Sequence, residues 1–196
     1  MISISLAGQL DSTEVTNSEY SKCVAAGKCT PAHYDDSLGF CFNGKEWVRQ
    51  IISSEYKAAN VPVTCVDWQQ ASDYCAWKGK RLPKESEWEK AVRAGTTTDY
   101  YWGAAMNPDY AWFKENSGMM IKDVKGKKPN SSALYDMSGN VWEWCSDCFD
   151  TLCTQRVFRG GSFVNDSTKM TSFSRKGAAP DSRYCNNGFR CLGIKH

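Results

Sequence analysis

Ten cysteines spread through 196 residues constrain this chain more than any other feature. A reducing cytosol would leave such a set unpaired or metal-bound. An even count in an aromatic-rich, loop-rich chain instead fits a disulfide framework made in an oxidising compartment. The expected location is therefore secreted, periplasmic or cell-surface. Residues Met1–Gly8 have no basic start and too short an apolar run for a signal peptide, so either a leader was removed ahead of this numbering or the chain was trimmed.

Composition excludes several classes. No apolar run approaches the roughly 18 residues that a membrane-spanning helix needs. A net charge of +2, from 24 basic and 22 acidic side chains, leaves no electrostatic footprint for nucleic acid. Eight tryptophans, nine tyrosines and eight phenylalanines supply a core, which argues against disorder. The only histidines are His33 and the terminal His196, so a histidine-based triad has almost nothing to work with. Phosphate-cradling glycine motifs and zinc-finger spacings are absent from the sequence.

Along the chain, Ile2–Thr13 is a candidate strand, and Thr16 or Asn17 can cap a helix that stops near Gly27. Cys23 and Cys29 flank that stop, at a spacing suited to a small disulfide loop. Residues Pro31–Asn60 read as irregular, punctuated by Gly39 and Gly44. Asp67 caps the run Trp68–Lys78, in which Trp68, Ala71, Tyr74 and Cys75 can share one face before Gly79. A second main helix follows Pro83, through Glu87, Trp88 and Val92 to Gly95. Beyond it, turn dipeptides alternate with short aromatic pieces, as expected of short strands and long ordered loops. With no repeat and no linker, residues 1–196 read as one α+β domain with two main helices.

Several segments, in order, resemble the formylglycine-generating enzyme or sulfatase-modifying-factor family. They are Glu14-Val15-Thr16-Asn17-Ser18-Glu19-Tyr20, Pro62-Val63-Thr64-Cys65-Val66-Asp67-Trp68, and Tyr74-Cys75-Ala76-Trp77-Lys78-Gly79-Lys80-Arg81-Leu82-Pro83 with Glu85, Glu87, Trp88 and Glu89 behind it. Tyr101-Trp102-Gly103, Leu134-Tyr135-Asp136-Met137-Ser138-Gly139-Asn140-Val141-Trp142-Glu143-Trp144 and Arg159-Gly160-Gly161-Ser162-Phe163 follow. Ala179-Pro180-Asp181-Ser182 and Gly188-Phe189-Arg190-Cys191 complete the series. The resemblance implies an irregular C-type-lectin-like fold.

In catalytically competent members of that family, two cysteines after the Gly-Gly-Ser-aromatic motif hold copper(I) and activate dioxygen. The matching positions here are Asn165 and Met170. Copper(I) is soft and prefers thiolates, and an amide with one neutral thioether does not make that site, so copper is not expected. The resemblance also pairs Cys75 with Cys191, while a second family disulfide is lost at both ends, where Val92 and Arg175 stand. Trp142, Ser162 and Asn186 match family pocket residues, and a calcium ion is implied on the Asp136 and Glu143 side chains with the Gly139 and Val141 carbonyls. Two carboxylates and two carbonyls suit a hard cation.

The cluster Cys145-x-x-Cys148-x4-Cys153 leaves disulfide, zinc and redox readings open, with Cys185 as a fourth zinc thiolate. Under the disulfide reading, Cys148–Cys153 closes a short loop, Cys145 pairs with Cys185, and Cys41 with Cys65 completes the set. The function expected is a non-catalytic extracellular binding or structural module whose surface lies on the C-terminal loops. Asn165, Asp166, Lys169, Phe173, Arg175 and Tyr184 would form it with Trp142, Ser162 and Asn186, taking a protein, small-molecule or glycan ligand. The rival is a metal-dependent protein-modifying oxidase with altered ligands.

Overall fold

The computed structural model describes residues 10–43 and 45–194. Side-chain caps set the first two helices. Thr16 accepts the Glu19 amide while the Glu19 carboxylate accepts the Thr16 amide, starting α1 (Asn17–Ala25). Asp67 and Gln70 make the same reciprocal pair at the head of α2 (Trp68–Trp77). A third helix, α3 (Glu85–Arg93), ends through Ala94 and Gly95, both at positive φ. Where the sequence suggests two main helices, the described residues contain three of nearly equal length, plus the single turn α4 (Lys114–Ser117).

Pro31–Asn60 is more ordered than its sequence suggests. It holds a hairpin of β1 (Phe40–Phe42) and β2 (Trp47–Arg49), followed by a 3-10 turn at Ser54–Lys57. The candidate strand Ile2–Thr13 lies mostly outside the described residues, although Leu10 bridges Leu192. Next to that bridge, β3 (Lys80–Arg81) pairs antiparallel with β8 (Leu192–Gly193).

The main sheet has the order β6 (Arg175–Ala178), β5 (Arg156–Arg159), β4 (Trp142–Cys148), β7 (Asn187–Gly188), with only β4 and β7 parallel. Alternation along β4 sorts its side chains between two cores. Trp142 and Trp144 face the cluster built on α1 and α2, where Trp144 stacks on Phe158 at 3.7 Å between centroids. Glu143 and Cys145 face α3, where Glu143 meets the Trp88 indole and Cys145 packs with Trp88 and Val157. Arg159, buried, locks α3 to β5 by bonding Glu85, Glu89 and the Ser172 carbonyl, each at 2.7–2.8 Å.

Four disulfides tie this frame. Cys23–Cys29, Cys75–Cys191 and Cys148–Cys153 form as the sequence suggests. The other two expected pairs are corrected: Cys41 bonds Cys185, leaving Cys65 and Cys145 as buried free thiols. The backbone explains the exchange. Phe40 N donates to Arg183 O and Cys185 N to Phe40 O, so β1 runs beside residues 183–185 and sets Cys41 opposite Cys185. Cys145 points from β4 into the α3 core, away from Cys185. With Cys148, Cys153 and Cys185 all in disulfides, the four-thiolate zinc reading also falls.

Candidate functional site

A groove of about 470 Å³ opens where the hairpin, the start of β4, the 162–170 loop and β6 meet. Its walls are Phe40, Trp47, Trp142, Asn165, Lys169, Arg175, Lys176, Tyr184 and Asn186. A chain of polar contacts builds the floor: Asn186 Nδ2 donates to Ser162 Oγ (2.9 Å), which donates to Asn165 Oδ1 (2.7 Å). The Asn165 amide donates back to the Ser162 carbonyl, so that turn is fixed. Asn186 is 2% exposed, yet its Oδ1 has no hydrogen-bond partner among the described residues. An orphaned buried acceptor costs about 1–3 kcal/mol, which a donor in the groove would recover if a small shift of the Asn186 side chain opened the oxygen to it.

The aromatic wall is braced edge to face. Trp47 meets Tyr184 at 5.6 Å and 88°, and Phe40 meets Tyr184 at 5.6 Å. Three cations share the lining and no carboxylate does. Arg175 is neutralised from outside by a two-pronged bond to Glu85 (2.8 and 2.9 Å). Lys169 and Lys176 make no ion pair within 4 Å among the described residues; Lys176 lies over the Tyr184 ring at 5.0 Å, and burial holds its pKa below the ordinary lysine value. Asp166, nearest in sequence to Lys169, spends its carboxylate on the Thr168 hydroxyl and amide, and those bonds lower its pKa.

Six of the nine surface residues proposed from the sequence line this one groove: Trp142, Asn165, Lys169, Arg175, Tyr184 and Asn186. Ser162 lies just beneath, as the hydrogen-bond link. Asp166 caps the neighbouring 3-10 turn, and Phe173 stands half exposed outside the lining. Phe40, Trp47 and Lys176 are lining residues that the sequence reading misses. The first two sit on the hairpin, whose short alternating Phe-Cys-Phe and Trp-Val-Arg segments are the signal that could have found them. A larger cavity, about 660 Å³, lies between α1 and residues 31–35. It has more room, but none of its lining residues carries an unpartnered buried polar atom among the described residues.

The positions that would supply copper thiolates have other tasks. The Asn165 side chain accepts from Ser162, while Met170 is fully buried with Tyr100, Ala111 and Phe113. The free thiols do not substitute. Cys65 and Cys145 sit in cores outside the groove lining, and burial pushes the Cys65 thiol up to about 12. The donor set does not fit thiolate-held copper(I).

The two side chains implied for calcium, Asp136 and Glu143, lie near Arg190. Its guanidinium is fully buried and grips Glu143 through Nε (2.8 Å) and Nη2 (2.7 Å), while the Trp88 indole donates to the same carboxylate at 2.8 Å. Asp136 accepts the Lys125 amide at 2.7 Å. Glu14, missed by the sequence reading, is wholly buried beside them, with Oε2 unpartnered and 4.0 Å from Arg190. Three buried carboxylates thus surround one buried cation. Burial pushes Asp136 up to about 6 and Glu14 well above the ordinary carboxylate value. Among the described residues no three acidic, histidine or cysteine side chains converge as a metal cage, so a cation here would rely on backbone carbonyls as well. Carboxylate and carbonyl oxygens are the donor types a hard cation takes, although Arg190 and Trp88 already occupy both Glu143 oxygens.

Capped helices against a short twisted sheet, with long loops carrying the groove, define the C-type-lectin-like fold of the formylglycine-generating proteins. The solved structure of PvdO from Pseudomonas aeruginosa shares it, at a TM-score of 0.74 and 24% identity over 94% of this chain and 80% of that one. The chain belongs to the sulfatase-modifying-factor family, since the model of the sulfatase-modifying factor enzyme 1-like domain matches residues 5–194. It is 34% identical to the formylglycine-generating enzyme of Streptomyces coelicolor over 67% of this chain and 52% of that protein. It is 38% identical to inactive C-alpha-formylglycine-generating enzyme 2 of Mus musculus over 67% of this chain and 48% of that protein. The chain therefore spans about half the length of these curated relatives.

Proposed function

We propose that this protein is a non-catalytic, extracytoplasmic binding module of the sulfatase-modifying-factor family, and that the aromatic and basic groove is its ligand site. The observation that carries this reading is the identity of the two residues after the Gly160-Gly161-Ser162-Phe163 turn. Asn165 is tied into the groove floor and Met170 into the core, so neither provides the anionic sulfur that copper(I) needs. Four disulfides support a secreted, periplasmic or surface location. Relatives named as formylglycine-generating enzymes and as inactive ones both match the chain, so ancestry is neutral and the reading rests on the site. Calcium at Asp136, Gly139, Val141 and Glu143 belongs to the same reading as a stabilising ion, since the surplus of buried carboxylates over Arg190 favours a cation.

The test is incubation with copper(I), dioxygen and a Cys-x-Pro-x-Arg peptide, followed by mass spectrometry. The peptide cysteine is expected to remain a thiol. Aldehyde formation by the unaltered chain would overturn the reading and favour a protein-modifying oxidase with other metal ligands.

A further inference from the structure

The groove's chemistry says more than that something binds there. Its walls present three separate demands. Trp47 meets Tyr184 at 88° and Phe40 is tilted at 50° to the same ring, so the three form an aromatic corner whose exposed rim is Trp47, 36% exposed. At the floor, Asn186 Oδ1 is a buried acceptor with no donor. Lys169 and Lys176 add two ammonium groups with no carboxylate in the lining to balance them. A cationic ligand would meet repulsion, and a purely apolar one would leave the amide oxygen orphaned.

We infer that the groove takes a carboxylated sugar, a uronate unit of an acidic glycan. Its ring C–H face would lie on Trp47 with its rim against Tyr184, a hydroxyl would donate to Asn186 Oδ1 after a small shift that opens this oxygen to the groove, and its carboxylate would lie between Lys169 and Lys176. One compact ring satisfies all three demands, and about 470 Å³ holds one or two such rings. An acidic peptide offers the charge without a rigid ring that joins hydroxyl donors to an apolar face. The inference rests on the groove being the ligand site, and it adds the ligand's class. It also sets this groove against peptides bearing arginine, because the lining is already basic.

The probes are digalacturonate, its neutral counterpart digalactose, and a triglutamate peptide, titrated into the full chain at low salt (about 20 mM NaCl) and high salt (about 500 mM NaCl). The readouts are calorimetry and the indole N–H resonances of Trp47 and Trp142. Digalacturonate is expected to shift those resonances and to bind at least about tenfold more tightly than digalactose, with most of the difference lost at high salt. Lys169→Ala with Lys176→Ala should abolish the preference for the acid while leaving the thermal melt and the weak digalactose affinity in place. Trp47→Ala should weaken both sugars alike. If digalactose binds as well as digalacturonate, or triglutamate binds better than either, the uronate assignment is wrong while the groove stands as a ligand site. If digalacturonate binds without moving the Trp47 and Trp142 resonances, or no probe moves them, the uronate assignment fails at this groove, and silence from all three withdraws support from the groove reading too.

Discussion

The cluster around Arg190 makes an asymmetric prediction. Three buried carboxylates, Glu14, Asp136 and Glu143, face one guanidinium. Arg190→Met removes both charged bonds to Glu143 and the bonds to the carbonyls of Asp11 (3.1 Å) and Tyr135 (2.8 Å). It also leaves three acids with no cation. Breaking a buried pair by deleting one partner costs about 3–5 kcal/mol, and the two stranded carbonyls put this case at about 5 kcal/mol or more. Glu143→Gln is milder. The amide still accepts from Trp88 or Arg190, and Arg190 keeps two acids to balance, so the expected cost is about 1–3 kcal/mol. Arg190→Lys should fall between them, because an ammonium cannot reproduce the fork that grips Glu143. Urea unfolding of the oxidised protein at neutral pH, in chelator so that bound cation does not contribute, gives the three differences at constant m. If Glu143→Gln destabilises as much as Arg190→Lys or more, the charge imbalance is not what governs this core. Should Arg190→Met fail to accumulate, the comparison of Glu143→Gln with Arg190→Lys still decides.

Three further outcomes are expected. Native protein should present no reactive thiol at pH 8, and unfolded protein two, because Cys65 and Cys145 are buried and burial raises both pKa values; a thiol titration giving any other pair of counts refutes the disulfide assignment. Calcium at about one hundred times its dissociation constant should stabilise by about 2.7 kcal/mol, roughly 5–10 °C for a chain of this size, and Asp136→Asn should remove the response; a melt indifferent to chelator makes the carboxylates purely structural. Gly139→Ala should cost about 3 kcal/mol or more in denaturant unfolding, because φ is +83° and an added Cβ would lie 2.2 Å from the Trp112 carbonyl oxygen; a change below about 1 kcal/mol would show that the loop relaxes freely.

What is legible in the chain follows from how local the causes are. Helix caps are written within four residues, so Thr16-x-x-Glu19 and Asp67-x-x-Gln70 announce α1 and α2 without any tertiary knowledge. Cys23–Cys29 and Cys148–Cys153 close short loops and are equally local. Cys41–Cys185 spans 144 residues and depends on β1 running beside Arg183–Cys185, a pairing that no spacing rule encodes. Cys65 illustrates the limit. Its amide donates to Tyr184 O, so it lies next to the true partner of Cys41, yet its left-handed backbone, at φ 54°, sends the sulfur toward Gly39. Proximity alone would have paired it.

The groove shows the same division between local and distant causes. Asn165, Lys169, Arg175, Tyr184 and Asn186 fall within 22 residues of each other, and chain proximity alone draws them toward one surface. Phe40 and Trp47 arrive from more than 90 residues upstream of Trp142, carried by a hairpin that the Cys41–Cys185 bond and the Phe40–Tyr184 bridge hold against the 184–186 segment. The disulfide that sequence reasoning mispairs is therefore the one that completes the site. Cutting it, with Cys41→Ser and Cys185→Ser together, should leave the sheet of β4–β7 and its Trp144–Phe158 stack intact. The hairpin, however, loses a cross-link worth about 5 kcal/mol in the chain-entropy model. Its strands are only three residues each, too short to hold position alone. Near-ultraviolet circular dichroism should then change at the tryptophan bands of Trp47 with the far-ultraviolet spectrum unaltered. The Trp47–Tyr184 edge contact should be lost from nuclear Overhauser data. An unchanged contact between those two rings would mean that the aromatic wall is held by its own packing and not by the bond between Cys41 and Cys185.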